Sequence, residues 1–191
     1  MNNSREKLLD VAFDEIYYNG YYPTSVDKIL KTAKMNKGSM YHFFKSKKEL
    51  GLAVINERVS VYIEDKYSVL LNFETNIIDE LLKLIKDRKN FDFTTGCKLN
   101  NLVQELSSKD KEFKSSLEKV YFRFEEIISE VLEKAIVKKE IQHPDAKALG
   151  IFVVASLEGC LITAKKSNEE KMFFDCISQL EFFLHSLKIT K

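Results

Sequence analysis

The sequence predicts an all-α protein of about nine helices, with a small helix-turn-helix head ahead of a larger helical body. Three observations carry this prediction. Apolar residues recur at helical spacing in segment after segment, and no stretch alternates with period two over a convincing length. Only two prolines and six glycines punctuate 191 residues, which favours long helices and few turns. With 45% hydrophobic and 31% charged residues, the chain can fill a core and does not read as disordered.

The elements follow in order. From Ser4 to Tyr18, Leu8, Leu9, Ala12, Phe13 and Ile16 share one face of a helix. Gly20 ends it and Pro23 blocks its continuation. Thr24 and Ser25 offer caps for a second helix, Val26 to Ala33, with Val26, Ile29, Leu30 and Ala33 turned inward. After a turn at Lys34 and Met35, Asn36 caps a short third helix, Lys37 to Phe43. Ser46 with Glu49 matches a capping box for a long fourth helix to about Leu71. Helices are expected at Ile77 to Lys89 and Cys97 to Leu106, separated by a break from Asn90 to Gly96. Asp110 caps a run to Lys138, His143-Pro144-Asp145 starts the next helix to about Lys166, and Asn168 caps the last, to about Leu187. The domain boundary is expected near Gly51, inside the fourth helix, dividing residues 1–50 from 51–191.

Charge is uneven along this layout. Residues 1–50 hold nine Lys and Arg against six Asp and Glu, whereas the remainder holds 21 against 23. Seven lysines (Lys28, Lys31, Lys34, Lys37, Lys45, Lys47, Lys48) lie between Asp27 and Glu49 with no acid among them, and Ser39, Tyr41 and His42 sit inside that stretch. Polar groups of modest reach on a helix flanked by lysines suit a groove lined by phosphates. The second and third helices then form a bihelical unit whose third helix enters the major groove. Gly38 allows close backbone approach, Tyr41 and His42 can hydrogen-bond phosphate or base edges, and the lysines supply salt-dependent, sequence-blind affinity. Met40 and Phe44 are expected in the small core with Phe13 and Ile29.

Leu9 through Gly20, Thr24-Ser25, Ile29, Ala33, Lys37-Gly38-Ser39, Tyr41-His42, Phe44, Lys45, Lys47 and Leu50 together resemble the DNA-binding head of the TetR (tetracycline-repressor) family. The resemblance implies a one-component bacterial repressor, a homodimer on a palindromic double-stranded DNA operator, released by a small molecule in the C-terminal domain. It puts Lys37, Gly38, Ser39, Tyr41 and His42 on the recognition helix, and Thr24, Ser25, Lys45, Lys47 and Lys48 where family members touch phosphates. One departure stands out: the family commonly has Gly in the turn where this chain has Lys34. Keeping a left-handed conformation there costs a lysine about 1 kcal/mol or more.

Further on, Gly96-Cys97-Lys98-Leu99-Asn100-Asn101-Leu102 with Gln104-Glu105-Leu106-Ser107 is similar to a subgroup of regulators that respond to acrylate and to N-ethylmaleimide-like electrophiles. That likeness implies a reactive switch at Cys97 with a nearby lysine from the eighth helix, Lys165 or Lys166. A helix N-terminus and an ammonium both favour the nucleophilic thiolate. The other reading of Cys97 is a small buried hydrophobe. Among the abundant aromatics, Tyr62, Phe93, Tyr121, Phe124 and Phe152 with Cys97 are candidates to line a mostly apolar effector pocket. The tract from Ala148 to Ala164 and the last helix are apolar on nearly all sides, which suggests burial against a second copy. Phe152, Ser156, Gly159, Phe174 and Phe183 are the candidate dimer contacts.

Other classes find little support. The start MNNSREKLL lacks an apolar signal core, and Ala148 to Ala164, interrupted by Glu158, reads as too short and too polar to span a bilayer. Cys97, Cys160 and Cys176 are read as neither a zinc site nor a disulfide framework, with Cys160 and Cys176 serving packing, and a reducing cytoplasm is the expected setting. No nucleophile elbow, phosphate loop or metal-ligand spacing supports an enzyme, and no cofactor or metal is expected. The alternative function is a ligand-independent structural factor of the same fold, acting on many dispersed chromosomal sites.

Overall fold

In a computed structural model, which describes residues 2–89 and 91–189, the chain forms nine helical segments and no strand among the described residues. They are α1 (Asn2–Asn19), α2 (Val26–Ala33), α3 (Lys37–Phe43), α4 (47–72), α5 (Ile77–Lys86), α6 (Lys98–Leu106), α7 (Lys111–Val137), α8 (Ala146–Ser167) and α9 (Glu170–Ser186). One isolated bridge joins Ile141 and Lys188. The expected fourth helix is a composite. Lys47–Val54 and Ser60–Tyr67 are α-helical, Ile55–Val59 between them is a π turn, and Ser68–Asn72 winds down as a 3-10 turn. α5 stops at Lys86, three residues before its expected end; of the expected break after it, Asn90 lies outside the described residues.

Local chemistry explains most of the boundaries. Ser25, Asn36 and Ser46 each accept the amide N–H three residues on, from Lys28, Ser39 and Glu49 respectively, and so satisfy an orphan donor at the starts of α2, α3 and α4. Glu49 returns to accept the Lys45 amide at 2.8 Å. Asp145 caps α8 through the Ala148 amide, and Asp110 accepts the Glu112 and Phe113 amides at the start of α7. Lys34 takes the left-handed conformation (φ 54°, ψ 47°) as the C-cap of α2, the conformation expected where the resembled family commonly has glycine. Asn168 does not cap the last helix as expected. It is left-handed (φ 54°) and closes α8, its amide bonded to carbonyls of the preceding turn, while Glu169 begins α9 without a side-chain cap. The expectation erred because Asn serves helix starts and left-handed helix ends equally well.

The chain divides into two compact units that do not follow chain order: residues 1–62 with 98–120, and residues 63–97 with 121–191. In the first unit, α1 packs on α2, α3 and α4 around Leu8, Leu9, Ala12, Ile29, Ala33, Met40 and Phe44, all buried. Three ion pairs tie α1 to the π turn: Arg5 meets Glu57 in two bonds of 2.7 and 2.6 Å, and Arg58 reaches Glu6 at 2.7 Å and Asp10 at 2.6 Å. The unit is completed from far along the chain. Glu105 on α6 accepts the amides of Tyr21 and Tyr22 at 2.8 and 2.7 Å, and the Phe113 ring of α7 lies 4.8 Å from that of Tyr21. Gly51 makes room for this, since a Cβ there would stand 2.6 Å from Tyr21 Cε2 and 3.2 Å from the Phe113 ring.

In the second unit, α8 and α9 form an extensive contact, with Leu149, Val153, Leu157, Leu161, Phe173, Ile177 and Leu184 buried. Gly150 lets α8 approach α7 closely, because a Cβ would stand 3.0 Å from the Ser129 backbone. Two sequence expectations are corrected here. Cys160 and Cys176, expected as separate packing residues, form a disulfide between α8 and α9, with Cα atoms 5.5 Å apart. Sequence separation hid the pair, which meets only because the two helices run back along one another. Helix α8 is, by length and composition, sufficient to cross a membrane: 22 residues, mean hydropathy 1.7. Glu158 does not shorten the helix, so the apolar stretch is longer than the residues either side of that carboxylate suggest. The face of α8 that carries Leu149, Val153 and Leu157 is nonetheless spent in the core of this unit.

Candidate functional site

Two arrangements concern function, one in each unit. In the first, α3 is amphipathic over only seven residues. Met40 and, just past the helix, Phe44 point into the core, and the Arg5 guanidinium lies 5.0 Å from the Phe44 ring. The opposite face carries Lys37, Gly38, Tyr41 and His42, all exposed, with Ser39 half-buried. Tyr41 is 55% exposed, which leaves the phenol available to a partner. Nothing but the Asn36 side chain stands near the position of a Gly38 Cβ, so the backbone of α3 is open to close approach. The short α3 is fixed at one end by the Asn36 cap and at the other by Met40 and Phe44, which aims the outer face rigidly.

The lysines fall into two groups. Lys45 is exposed, and Lys37 is exposed with only a surface ion pair to Asp27 at 2.9 Å, which raises its pKa. Such a pair contributes little and yields readily to a phosphate. Lys47 and Lys48 are half-buried and already engaged. Lys47 donates to the Tyr22 carbonyl at 3.1 Å and sits 4.4 Å over the Tyr21 ring, and burial lowers its pKa. Lys48 pairs with Asp110 at 2.8 Å and Glu112 at 2.7 Å, which raises its pKa. Ser25 is exposed, but Thr24 is fully buried, its hydroxyl donating to the Gly20 carbonyl at 2.6 Å. The sequence motif therefore mixes residues that face out with residues that hold the turn.

In the second unit, Cys97 donates to Glu158 Oε1 at 3.2 Å, and Glu158 is 5% exposed. The thiol thus stands beside a buried carboxylate of α8, two helical turns before Lys165, which is exposed at the end of that helix. Tyr121 belongs to the same neighbourhood: its pKa is raised by burial first and then by the charges of Glu158 and Cys97. Phe93 is buried in a chain of rings, 5.0 Å from Phe91, 5.4 Å from Phe173 and 6.5 Å from Phe174. Phe124 is fully buried 4.3 Å from the Tyr67 ring and serves the core, whereas Phe152 is 47% exposed. Tyr62 is part of the first unit, where the Lys98 ammonium lies 5.7 Å from its ring and 3.5 Å from that of Tyr17. The sequence reading missed two groups, Glu158 and Arg88. Glu158 was legible as the one acid in an apolar tract; Arg88 gives no sequence signal, because it lies just past α5 beside ordinary charged residues.

The α8–α9 surface also carries an unusual apolar face. Phe152 and Gly159 on α8 are exposed with Ser156 half-buried, and a Cβ on Gly159 would meet nothing within 4 Å. Beside them, Phe183 packs 5.2 Å from Phe152, and Phe182 and Phe174 are 74% and 37% exposed.

Known proteins match both parts. Residues 8–54 match the model of bacterial regulatory proteins of the tetR family, and residues 75–179 match that of the C-terminal domain of LmrA/YxaF-like transcriptional regulators. An uncharacterized HTH-type transcriptional regulator from the lacX 3' region of Lactococcus lactis is 30% identical over 176 residues, 88% of this chain and 87% of that protein. The HTH-type transcriptional repressor NemR of Escherichia coli is 26% identical over 136 residues, 69% of this chain and 68% of NemR. The crystal structure of E. coli NemR in its reduced form has the same fold, with a TM-score of 0.85 at 23% identity over 98% of both chains. An outward α3 on a capped helix-turn-helix, in a chain matched by these two models over most of its length and helical with no strand among the described residues, makes this protein a member of the TetR family of DNA-binding transcriptional regulators, its C-terminal part LmrA/YxaF-like and similar to NemR.

Proposed function

We propose that the protein is a cytoplasmic repressor that binds a palindromic operator as a homodimer and is released by a small molecule held in its C-terminal region. Residues 1–50 read the DNA, and residues 51–191 supply the effector site and the dimer contact. The observation that carries this reading is the outward face of α3, where Lys37, Gly38, Tyr41 and His42 are exposed on a helix too short to be stable alone and fixed from behind by Met40 and Phe44. Tyr41 and His42 read base edges, and Lys37, Lys45 and Ser25 hold phosphates. Lys47 and Lys48 give up their present partners to join them, and buried Thr24 orients α2. One such head grips few base pairs, so two heads about 34–36 Å apart are needed for specificity. Exposed Phe152, Gly159 and Phe174, with half-buried Ser156 and Phe183, support a second copy as partner. Release follows from a shift of α4, which contributes residues to both compact units. A second input is modification of Cys97.

The test is a gel-shift titration on the DNA upstream of the protein's own gene, at about 0.15 M salt with excess random competitor. A discrete complex that survives competitor supports a local regulator. Binding that competitor abolishes there and on DNA selected from random pools contradicts it and favours a dispersed chromosomal role. N-ethylmaleimide, added to wild type and to Cys97→Ser, reads the cysteine input: release of wild type alone supports it, and equal behaviour removes it.

A further inference from the structure

Arg88 lies two residues beyond α5 and is only 6% exposed. Its guanidinium carbon stands 5.3 Å from the Phe91 ring and 5.2 Å from the Phe173 ring, so aromatic faces cover it on two sides. Its Nε and Nη2 are buried and make no hydrogen bond to any described residue. A guanidinium removed from water loses much of its hydration free energy, and a cation–π contact returns only a part of it. The buried cation is therefore under-compensated.

Which two atoms are unsatisfied is informative. Nε–H and one Nη2–H lie on the same edge of the guanidinium and point the same way, which is the geometry that takes a carboxylate by two parallel bonds. This chain uses that edge elsewhere: Arg123 holds Glu64 through Nε at 2.9 Å and Nη2 at 3.0 Å. In Arg88 the same edge has no hydrogen-bond partner among the described residues. A second cation lies within electrostatic reach, for Lys66 on α4 has its pKa pushed down to about 8, by burial first and then by the charge of Arg88. A guanidinium edge without a hydrogen-bond partner, held between the Phe91 and Phe173 rings, suits one anion with an apolar body.

We propose that the Nε–Nη2 edge of Arg88, between Phe91 and Phe173, is the carboxylate-binding end of the effector site, and that the effector is a small organic monocarboxylate with an apolar or aromatic body. The Phe91 ring moves aside to admit it, and Lys66 adds charge behind the two-pronged contact. This inference deepens the regulator reading and rests on it for the word effector, but the anion site itself stands independently of DNA.

The experiment is thermal unfolding of the full chain with benzoate, phenylacetate and hexanoate, each against its uncharged amide at matched ionic strength. At least one carboxylate is expected to raise the midpoint by about 5 °C when about a hundredfold above its dissociation constant, and its amide is expected to leave it unmoved. Arg88→Met should abolish the shift, and Arg88→Lys, which keeps charge but not the edge, should retain at most a small part. Equal shifts by acid and amide, no shift of wild type by any of the three acids, or an undiminished shift in a folded Arg88→Met protein would each overturn the proposal. The acid-against-amide arm needs no variant, so it decides even if Arg88→Met fails to fold. A wild-type gel shift without carboxylate separates the two readings: retained DNA binding with no carboxylate response sinks only the anion site, and a carboxylate response without operator binding sinks only the regulator.

Discussion

The two compact units differ in what they do with polar groups. In the unit built on residues 1–62 and 98–120, polar side chains fasten one element to another. Ser25, Asn36 and Ser46 cap helices, Glu105 holds the turn at Tyr21 and Tyr22, and Arg5 and Arg58 pair with acids of the neighbouring helix. The unit built on 63–97 and 121–191 has such fastenings too, Arg123 with Glu64 among them, but it also buries charged and titratable groups: Arg88 between phenylalanines, Glu158 beside Cys97 and Tyr121, and Lys66 half-buried. Satisfied polar groups rigidify, whereas a buried guanidinium edge with no hydrogen-bond partner, as in Arg88, leaves a region dependent on what binds there. By their proposed roles the first unit is called the reader and the second the sensor.

The comparison can be broken first at its glycines. Gly51→Val drives side-chain atoms into Tyr21 and Phe113 in the reader and should cost about 1–3 kcal/mol in thermal unfolding. Gly159→Val projects from an open stretch of α8 and should leave the folding of the sensor intact, while altering self-association measured by sedimentation. Equal destabilisation by both would remove the distinction between a packed glycine and an interface glycine. Next, Ser46→Ala deletes the cap of α4 and should lower stability by about 1 kcal/mol; a change within error would mean that water caps the helix as well.

Lys66 supplies a pH test. Its pKa falls from 10.5 to about 8 in the folded protein. Between those values the unfolded chain holds a proton that the folded chain lacks, so stability should rise with pH through that window. Lys66→Met should flatten that rise relative to wild type in denaturant titrations at pH 7.5 and 10; parallel curves would show that the ammonium is solvated. The smallest expected effect belongs to the surface: Lys45→Ala should weaken operator and random DNA alike and reduce the salt slope by about 1. An unchanged slope would remove Lys45 from the phosphate contacts.

How much was legible in the sequence divides along the same line. The reader was legible because its information is local. A cap and its amide lie three residues apart, the inward and outward faces of α3 alternate within one turn, and Lys34 takes the left-handed conformation expected where the resembled family commonly has glycine. The part of the reader that sequence reasoning did not reach is the part completed from afar, Glu105, Asp110 and Phe113 against Tyr21, Lys48 and Gly51. The sensor was legible only as apolar helices. The Cys160–Cys176 bridge, the Cys97–Glu158 contact and the bare edge of Arg88 all depend on which helices meet, and periodicity carries no signal for that. Aromatic richness suggested a pocket, yet it did not separate core Phe124 from exposed Phe152.

The central claim is that α3 reads sequence while the lysines read only charge. The most direct measurement is the ratio of operator to random-DNA affinity for wild type, Tyr41→Ala, His42→Ala and Lys45→Ala at one salt concentration. The account predicts that Tyr41→Ala and His42→Ala lower the ratio about tenfold or more, as for loss of a base contact, and that Lys45→Ala leaves it unchanged while weakening both affinities. The same ratio in all four proteins would contradict it.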